Sequence, residues 1–329
     1  MRCLSILALL FLLQSLAFCQ EKEKQQETTV DIPFVCSVGD SHTYQVTDTK
    51  YKNGQVSSVG VQVLQLKILS VNDEEIVATM KLVAQVDEAT LKQVESDPVT
   101  KAIKELWDKL DFEVVMTRNG VFSEFQNIEE IEAAIAKNRN LILEIVNDMK
   151  RELVKKGKDP AEVDRIVATV MKYQGSTQAA MAKVMTPLNM ILQFVDTEHE
   201  IGNPKIEQTE VDLGPASALP ATETFRVMEV KRESNLAVVQ FQRLIEGQEA
   251  AKKYQQGIEA LMQRMKPGHK PKSPFPKVTV VSDSLIEGTM DLNSGWPRAV
   301  SWTNRMNNLK NDQLEVKQKV EVQRVEAKK

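Results

Sequence analysis

Apolar and polar positions alternate with two different periods along this chain, and the points where the period changes mark out its elements. Residues 20–30 (QEKEKQQETTV) are polar and read as a flexible tether, so ordered structure is expected from about Ile32. Thr43 to Lys50 follows the two-residue period of a half-buried strand, and Asn53-Gly54 supplies a tight hairpin turn. Val59 to Val71 and Ile76 to Val86 read as two more strands, turned by Asn72-Asp73-Glu74-Glu75. Asp87 to Leu110 switches to helical spacing, with Leu91, Val94, Ile103, Leu106 and Leu110 facing inward and Pro98 splitting the run. Phe112 to Thr117 and Val121 to Phe125 then form a hairpin around Arg118-Asn119-Gly120.

The middle of the chain is helical. Ile128 to Val154 is a long amphipathic run, stopped by Gly157, and Asp159-Pro160 starts the next helix at Val163 to Tyr173. A third helix places Met181, Val184, Met185, Leu188, Ile191, Leu192 and Val195 on one face, with Pro187 inside it. Strands resume at Thr224 to Lys231 and Leu236 to Leu244, and a helix covers Gln248 to Met265. After a loop carrying Pro267, Pro271, Pro274 and Pro276 come strands at Val278 to Val281, Leu285 to Leu292 and Trp296 to Thr303, with Asn293-Ser294-Gly295 as a turn. Gln313 to Val325 is the last strand, with Leu314, Val316, Val320 and Val322 on one face.

The order strand, strand, helix, strand, turn, strand occurs twice. Ile68–Glu74 can be laid on Val227–Glu233, and Asn119-Gly120 on Ser294-Gly295. The fold class predicted is α+β: curved antiparallel sheets or a barrel, built on a duplicated ββαββ unit, with helices packed on one face. The expected divisions are a leader at 1–19, the tether at 20–30, a first β-rich half at 31–127, a helical segment at 128–200, and a second β-rich half at 201–329 whose Pro-rich loop spans 266–277.

The leader changes the picture most. Arg2, then the apolar run Leu4 to Leu13, then Ala17-Phe18-Cys19 ahead of the charged Glu21-Lys22-Glu23-Lys24, is the order of a secretory signal cut between Cys19 and Gln20. The run is shorter than the roughly 20 apolar residues a membrane span needs, so no integral span is expected in the mature chain. Leu16-Ala17-Phe18-Cys19 also resembles a lipobox, which would anchor the protein by lipid at Cys19, although Phe18 stands where that pattern has a small residue. With that leader removed, Cys36 is the one cysteine left, so no intramolecular disulfide can form. With no Asn-x-Ser/Thr sequon either, the sequence fits a secreted or periplasmic bacterial protein.

Composition narrows the partners. A formal net charge of −4 gives no basic footprint for nucleic acid. Aromatics make up only 5% of the chain while methionine occurs 13 times, so apolar surfaces lean on aliphatic and thioether groups. The candidate surface for an apolar ligand is the helical set Met181, Met185, Leu188 and Leu192, with Met262 and Met265 on the later helix; packing against the sheet is the competing use of the same residues. No cofactor motif, phosphate-cradling loop or metal-ligand spacing is present. His42 and His269 are isolated in sequence, and His199 lies in a solvated acidic stretch. Lys266, His269, Lys270, Lys272 and Lys277 could bring the Pro-rich loop to an anionic membrane surface, a peripheral association.

One catalytic pattern stands against this reading. Gly39-Asp40-Ser41 and Asp196-Thr197-Glu198-His199 resemble the nucleophile and Asp-x-x-His blocks of GDS-type esterases, with Ser41 as nucleophile, His199 as base and Asp196 as orienter. The esterase serine opens a helix, whereas a strand follows Ser41, and the plainer reading is a turn that launches it. As a whole the layout, with Gly-turn hairpins such as Asp291-Leu292-Asn293-Ser294-Gly295-Trp296-Pro297, resembles secreted bacterial families of uncharacterised role. More distantly it is similar to the lipoprotein-carrier (LolA-like) half-barrels. That resemblance implies a non-catalytic exported protein that holds a lipid or other apolar ligand between sheet and helices. The alternatives are the serine hydrolase and a purely structural envelope protein.

Overall fold

The computed structural model describes residues 29–85, 101, 104–105, 108–155, 157, 159–160, 164, 177–213, 216–265, 280–308 and 313–325. The leader, the Pro-rich loop and, apart from the helical Asp164, the helix expected at Val163 to Tyr173 lie outside them. Every hairpin predicted from alternation forms. The strands are β1 (Thr29–Ile32), β2 (Ser41–Lys52), β3 (Gln55–Val71), β4 (Glu75–Gln85), β5 (Asp111–Thr117) and β6 (Phe122–Phe125), followed by helices α1 (Ile128–Lys155) and α2 (Thr177–Leu192). Then come β7 (Thr197–Glu200), β8 (Lys205–Leu213), β9 (Ala216–Lys231), β10 (Leu236–Glu246), helix α3 (Gln248–Met265), β11 (Val280–Asp291), β12 (Pro297–Asn308) and β13 (Gln313–Arg324). Between β4 and β5, residues Lys101, Lys104, Glu105, Asp108 and Lys109 are helical.

One sheet of 11 strands takes all but two of these, in the order β6-β5-β4-β3-β2-β13-β12-β11-β10-β9-β8, and every neighbouring pair is antiparallel. Its edges, β6 and β8, do not pair with each other among the described residues, so of the two expected forms the open sheet is the one built and the barrel is not. β13 joins the β-rich halves by pairing with β2, and Gln318 Nε2 donates to Asp48 Oδ1 across that seam at 2.9 Å. β1 and β7 make a separate two-stranded ribbon. The tether therefore ends sooner than expected, since Thr29 and Val30 already pair with Glu200 and His199, and the segment taken as wholly helical closes on a strand.

Side-chain alternation shows which face the helices cover. His42, Tyr44 and Val46 of β2 share a face with Leu64 and Leu66 of β3 and with Val320 and Val322 of β13; all seven are buried. The same face continues through Trp302, Ile286, Phe241 and Phe225, paired one strand after another. Helix α2 packs there against β12 and β13 and buries Val184, Leu188 and Ile191. Helix α3 packs on the same face farther along, where Ala250, Ala251 and Tyr254 meet Ile245 and Ala221. Helix α1 leans on α2 and buries Ile131 and Ile135, its acidic Glu129 and Glu130 lying at the positive end of its dipole.

Two departures from simple alternation matter. In β13 the pairing to β12 jumps from Gln318 to Val316 and leaves out Lys317. That bulge turns the first part of the strand over, so Leu314 is 39% exposed and not on the face of Val320 and Val322. In β3 and β9 the ladder skips Leu69 and Met228 respectively, and both side chains point to solvent.

Candidate functional site

Helix α2 does not fill the space between itself and the sheet. On one flank lies a cavity of about 530 Å³, floored by Phe241 and Arg243 of β10, Ser284 and Ile286 of β11 and Trp302 of β12. Asn189, Met190 and Leu192 of α2, with Gln193 just after it, form its roof, and the β5–β6 turn, Gly120 to Phe122, closes one side. That turn and β10 stand seven strand-to-strand steps apart in the sheet, about 34 Å if the sheet were flat. A space of about 530 Å³ is roughly 10 Å across, so the sheet must curl for both to line it. On the other flank of α2 a recess of about 230 Å³ lies over Val46, Asp48, Gln62 and Gln318, with Thr186 lining both spaces.

The larger cavity is amphipathic. Val121, Phe122, Met190, Leu192, Phe241 and Ile286 present hydrocarbon or aromatic surface. Among the described residues Arg243 is the one charged side chain that lines it, and its guanidinium sits 5.7 Å from the centre of the Phe241 ring. Arg243 Nε donates to Glu223 Oε1 at 2.6 Å, and Glu223 itself does not line the cavity. Trp302 Nε1 donates to Ser284 Oγ at 2.7 Å, which leaves the serine hydroxyl proton free to point elsewhere.

Beside the β5–β6 turn that lines this cavity the fold is sealed by the loop Pro33–Cys36. It is wedged between two turns, since Gly120 and Gly295, both at φ 73°, approach it closely. Val35 N donates to Ser294 O at 3.1 Å, and the buried Trp296 donates from Nε1 to Val35 O at 3.1 Å. His42 stacks on Trp296 with ring centres 4.2 Å apart. Burial, reinforced by Arg324, lowers the His42 pKa to about 4 against a smaller opposing pull from Asp40, and neither ring nitrogen has a hydrogen-bond partner. Tyr44 is fully buried two residues on, where burial instead raises the phenol pKa, and its hydroxyl has no partner among the described residues. Burial, with Asp40 next, raises the Cys36 thiol to about 12, so it is held as the thiol.

The residues singled out from sequence fall as follows. Leu192 lines the cavity. Leu188 is fully buried in the core, and Met181 and Met185 pack half-buried against it. The side chains of Met262 and Met265 lie outside the described residues. Phe241, Arg243 and Trp302 carry no signal in the sequence, because strand periodicity does not distinguish a wall of a gap from a wall of a packed core. The esterase-like blocks are not brought together. Ser41 is exposed on the outer face of β2, next to the inward His42. His199 stacks at 3.6 Å on Phe225, which belongs to the inner face, and burial and then Lys205 lower its pKa to about 4. Gly39 and Asp40 form the turn into β2, with Asp40 Oδ2 accepting from Ser37 N at 2.7 Å. Among the described residues no cluster of three or more His, Cys, Asp or Glu is placed to hold a metal, and no helix is long and apolar enough to cross a membrane.

No protein-family model and no curated protein matches this sequence. Among solved structures, the crystal structure of Rv2717c from M. tuberculosis is similar over 88% of this chain and 92% of that one, at 7% identity and a TM-score of 0.24, a likeness too slight to carry an argument.

Proposed function

We propose that this chain is an exported, non-catalytic protein of the periplasm or cell exterior that takes an apolar ligand, a lipid acyl chain, into the space between helix α2 and the sheet. The observation that carries the reading is the open cavity of about 530 Å³ itself, within the size range of small-ligand sites and lined in roughly equal parts by apolar and polar surface. At about 30 Å³ for each water-sized group it has room for on the order of fifteen methylenes. The sheet reads as a curved cradle made from two copies of one unit. In support, β2–β6 and β8–β12 run in the same order with a helical stretch inserted after the third strand of each, and the skipped residues Leu69 and Met228 fall at matching places in Ile68–Glu74 and Val227–Glu233.

The test is binding of a fluorescent acyl probe to the delipidated protein, alongside native mass spectrometry of protein taken from its own envelope. Asn189 is an exposed position on the cavity roof, so Asn189→Trp fills the space without disturbing the core. Binding should saturate at one probe per chain and fall at least tenfold in Asn189→Trp. Absence of binding and of any co-purifying lipid would leave a structural envelope role in its place. Intact mass separates the two export routes: loss of residues 1–19 means a free protein starting at Gln20, and an added lipid on Cys19 means an anchored one.

A further inference from the structure

The cavity beside α2 is not uniformly apolar, and the arrangement of its polar groups selects among guests. We infer that the ligand is a single-chain amphiphile with an anionic head group, a carboxylate or phosphate, read by Arg243; this rests on the acyl-binding reading above and specifies its head group.

Among the described residues the cavity wall carries a single charge, that of Arg243. Arg243 has five guanidinium N–H donors, and among the described residues one of them is used, from Nε to Glu223 Oε1. Arg243 lines the cavity and its partner Glu223 does not, so the cavity meets the cationic member of the pair. Glu223 fixes the plane of the fork, and the remaining N–H groups keep the geometry that suits two oxygens of one anion. The Phe241 ring beneath the guanidinium supports it by a cation–π contact and also forms the start of the apolar floor. Charge and hydrocarbon therefore adjoin on β10 in the order an amphiphile presents them.

The neutral polar groups agree. The amides of Asn189 and Gln193 sit on the roof with no hydrogen-bond partner among the described side chains, and the Ser284 hydroxyl, having accepted from Trp302, can donate. Donors outnumber acceptors around the cavity, which disfavours a cationic head and leaves a neutral alcohol with fewer bonds than an anion. From Arg243 the apolar run Phe241, Ile286, Met190 and Leu192 offers a path for the chain.

Three probes with the same ten-carbon chain test this on the full delipidated protein: decanoate, decanol and decyltrimethylammonium, titrated by calorimetry at pH 7.5. Decanoate should bind roughly tenfold to a hundredfold more tightly than decanol, and the ammonium most weakly. Arg243→Gln should erase the preference for decanoate while decanol still binds, and Arg243→Lys should restore part of it. Because Arg243→Gln leaves Glu223 without its partner and so risks the fold, Glu223→Gln is the second variant; with the competing carboxylate gone, decanoate should bind more tightly. Decyl phosphate in place of decanoate tells a phosphate head from a carboxylate. Equal affinity for all three probes, or a decanoate preference that survives Arg243→Gln, overturns the head-group assignment and leaves acyl binding intact. No binding of any probe overturns both.

Discussion

Replacing Gly295 with alanine tests the wedge that closes the sealed end of the sheet. A Cβ at this position would lie 1.5 Å from Pro33 O and 2.7 Å from Pro33 C, backbone atoms that no side-chain rotation can move aside. The loop must retreat, and with it go the Val35 N to Ser294 O and Trp296 Nε1 to Val35 O hydrogen bonds, each 3.1 Å long. Those are worth about 1 kcal/mol apiece, and the Trp296 ring contacts to Phe34 and His42 about 1 kcal/mol each beyond their area. The left-handed backbone, φ 73°, adds about 1 kcal/mol for any residue with a Cβ. Some relaxation will recover part of this, so the expected cost is about 4 kcal/mol. Gly54 is the control, at φ 74° with nothing within 4 Å of its Cβ, where alanine should cost only the backbone part, about 1 kcal/mol. Gly120→Ala should fall between, because its clash at 2.4 Å is with the Val195 Cγ2 methyl, which can swing away. Urea unfolding followed by far-UV circular dichroism gives all three. If Gly295→Ala came within about 1 kcal/mol of Gly54→Ala, the loop would be resting on the turn and not locked by it.

Acid should weaken the fold through the buried His42 and the half-buried His199: the unfolded chain takes up a proton near pH 6.5 at each, the folded chain only near 4, so between those values the unfolded state binds more protons and stability falls as the pH falls. For His42 the loss approaches about 3 kcal/mol by pH 4, and His42→Phe, which keeps the stack on Trp296, should flatten that part of a stability-versus-pH curve. Cys36, its pKa raised to about 12, should react with iodoacetamide at pH 8 about a thousandfold more slowly than an unperturbed thiol, read on its own peptide by mass spectrometry, and much faster in Gly295→Ala; labelling of the parent protein at the free-thiol rate would refute the burial. Asp283 is buried on the outer face and accepts from Gln242 Nε2 at 2.8 Å and Arg305 Nη1 at 3.1 Å, so Asp283→Ala should lower the urea midpoint by the equivalent of about 2 kcal/mol.

Much of the fold was legible because its strands are buried on one side and therefore alternate cleanly. β2 from Ser41 to Val46, β4 from Glu75 to Val83 and β10 from Leu236 to Gln242 show the two-residue period, and Asn53-Gly54 and Asn119-Gly120 announce their turns. The strands that went unseen are those for which alternation has no cause. β8 is an edge strand with both faces largely exposed, so Lys205 to Leu213 carries charge where an interior strand would carry valine. The start of β9 contains Pro220, tolerated where the ladder runs to β8 but not yet to β10. β11 looked like two pieces because Ser282, Asp283 and Ser284 interrupt its apolar run, yet all three have hydrogen-bond partners that replace water. The site was least legible. The thioether stripe correctly marked the face of α2 that meets the core, but Arg243 becomes notable only when the β5–β6 turn is seen to come round opposite it.

The β2–β13 seam carries a consequence for how the chain reaches this shape. Along the sheet the strands follow one another as a continuous meander from β8 to β13 and again from β2 to β6, and each run can assemble from sequence neighbours. Within this sheet, among the described residues, only Tyr44 to Lys50 meeting Gln318 to Arg324 pairs strands some 270 residues apart. Until the last strand has been delivered, β2 and β12 are both raw edges, each inviting a foreign strand. A chain stopped short at residue 312 would thus carry two sticky margins in place of one join, and its hazard would be self-association rather than simple loss of a part.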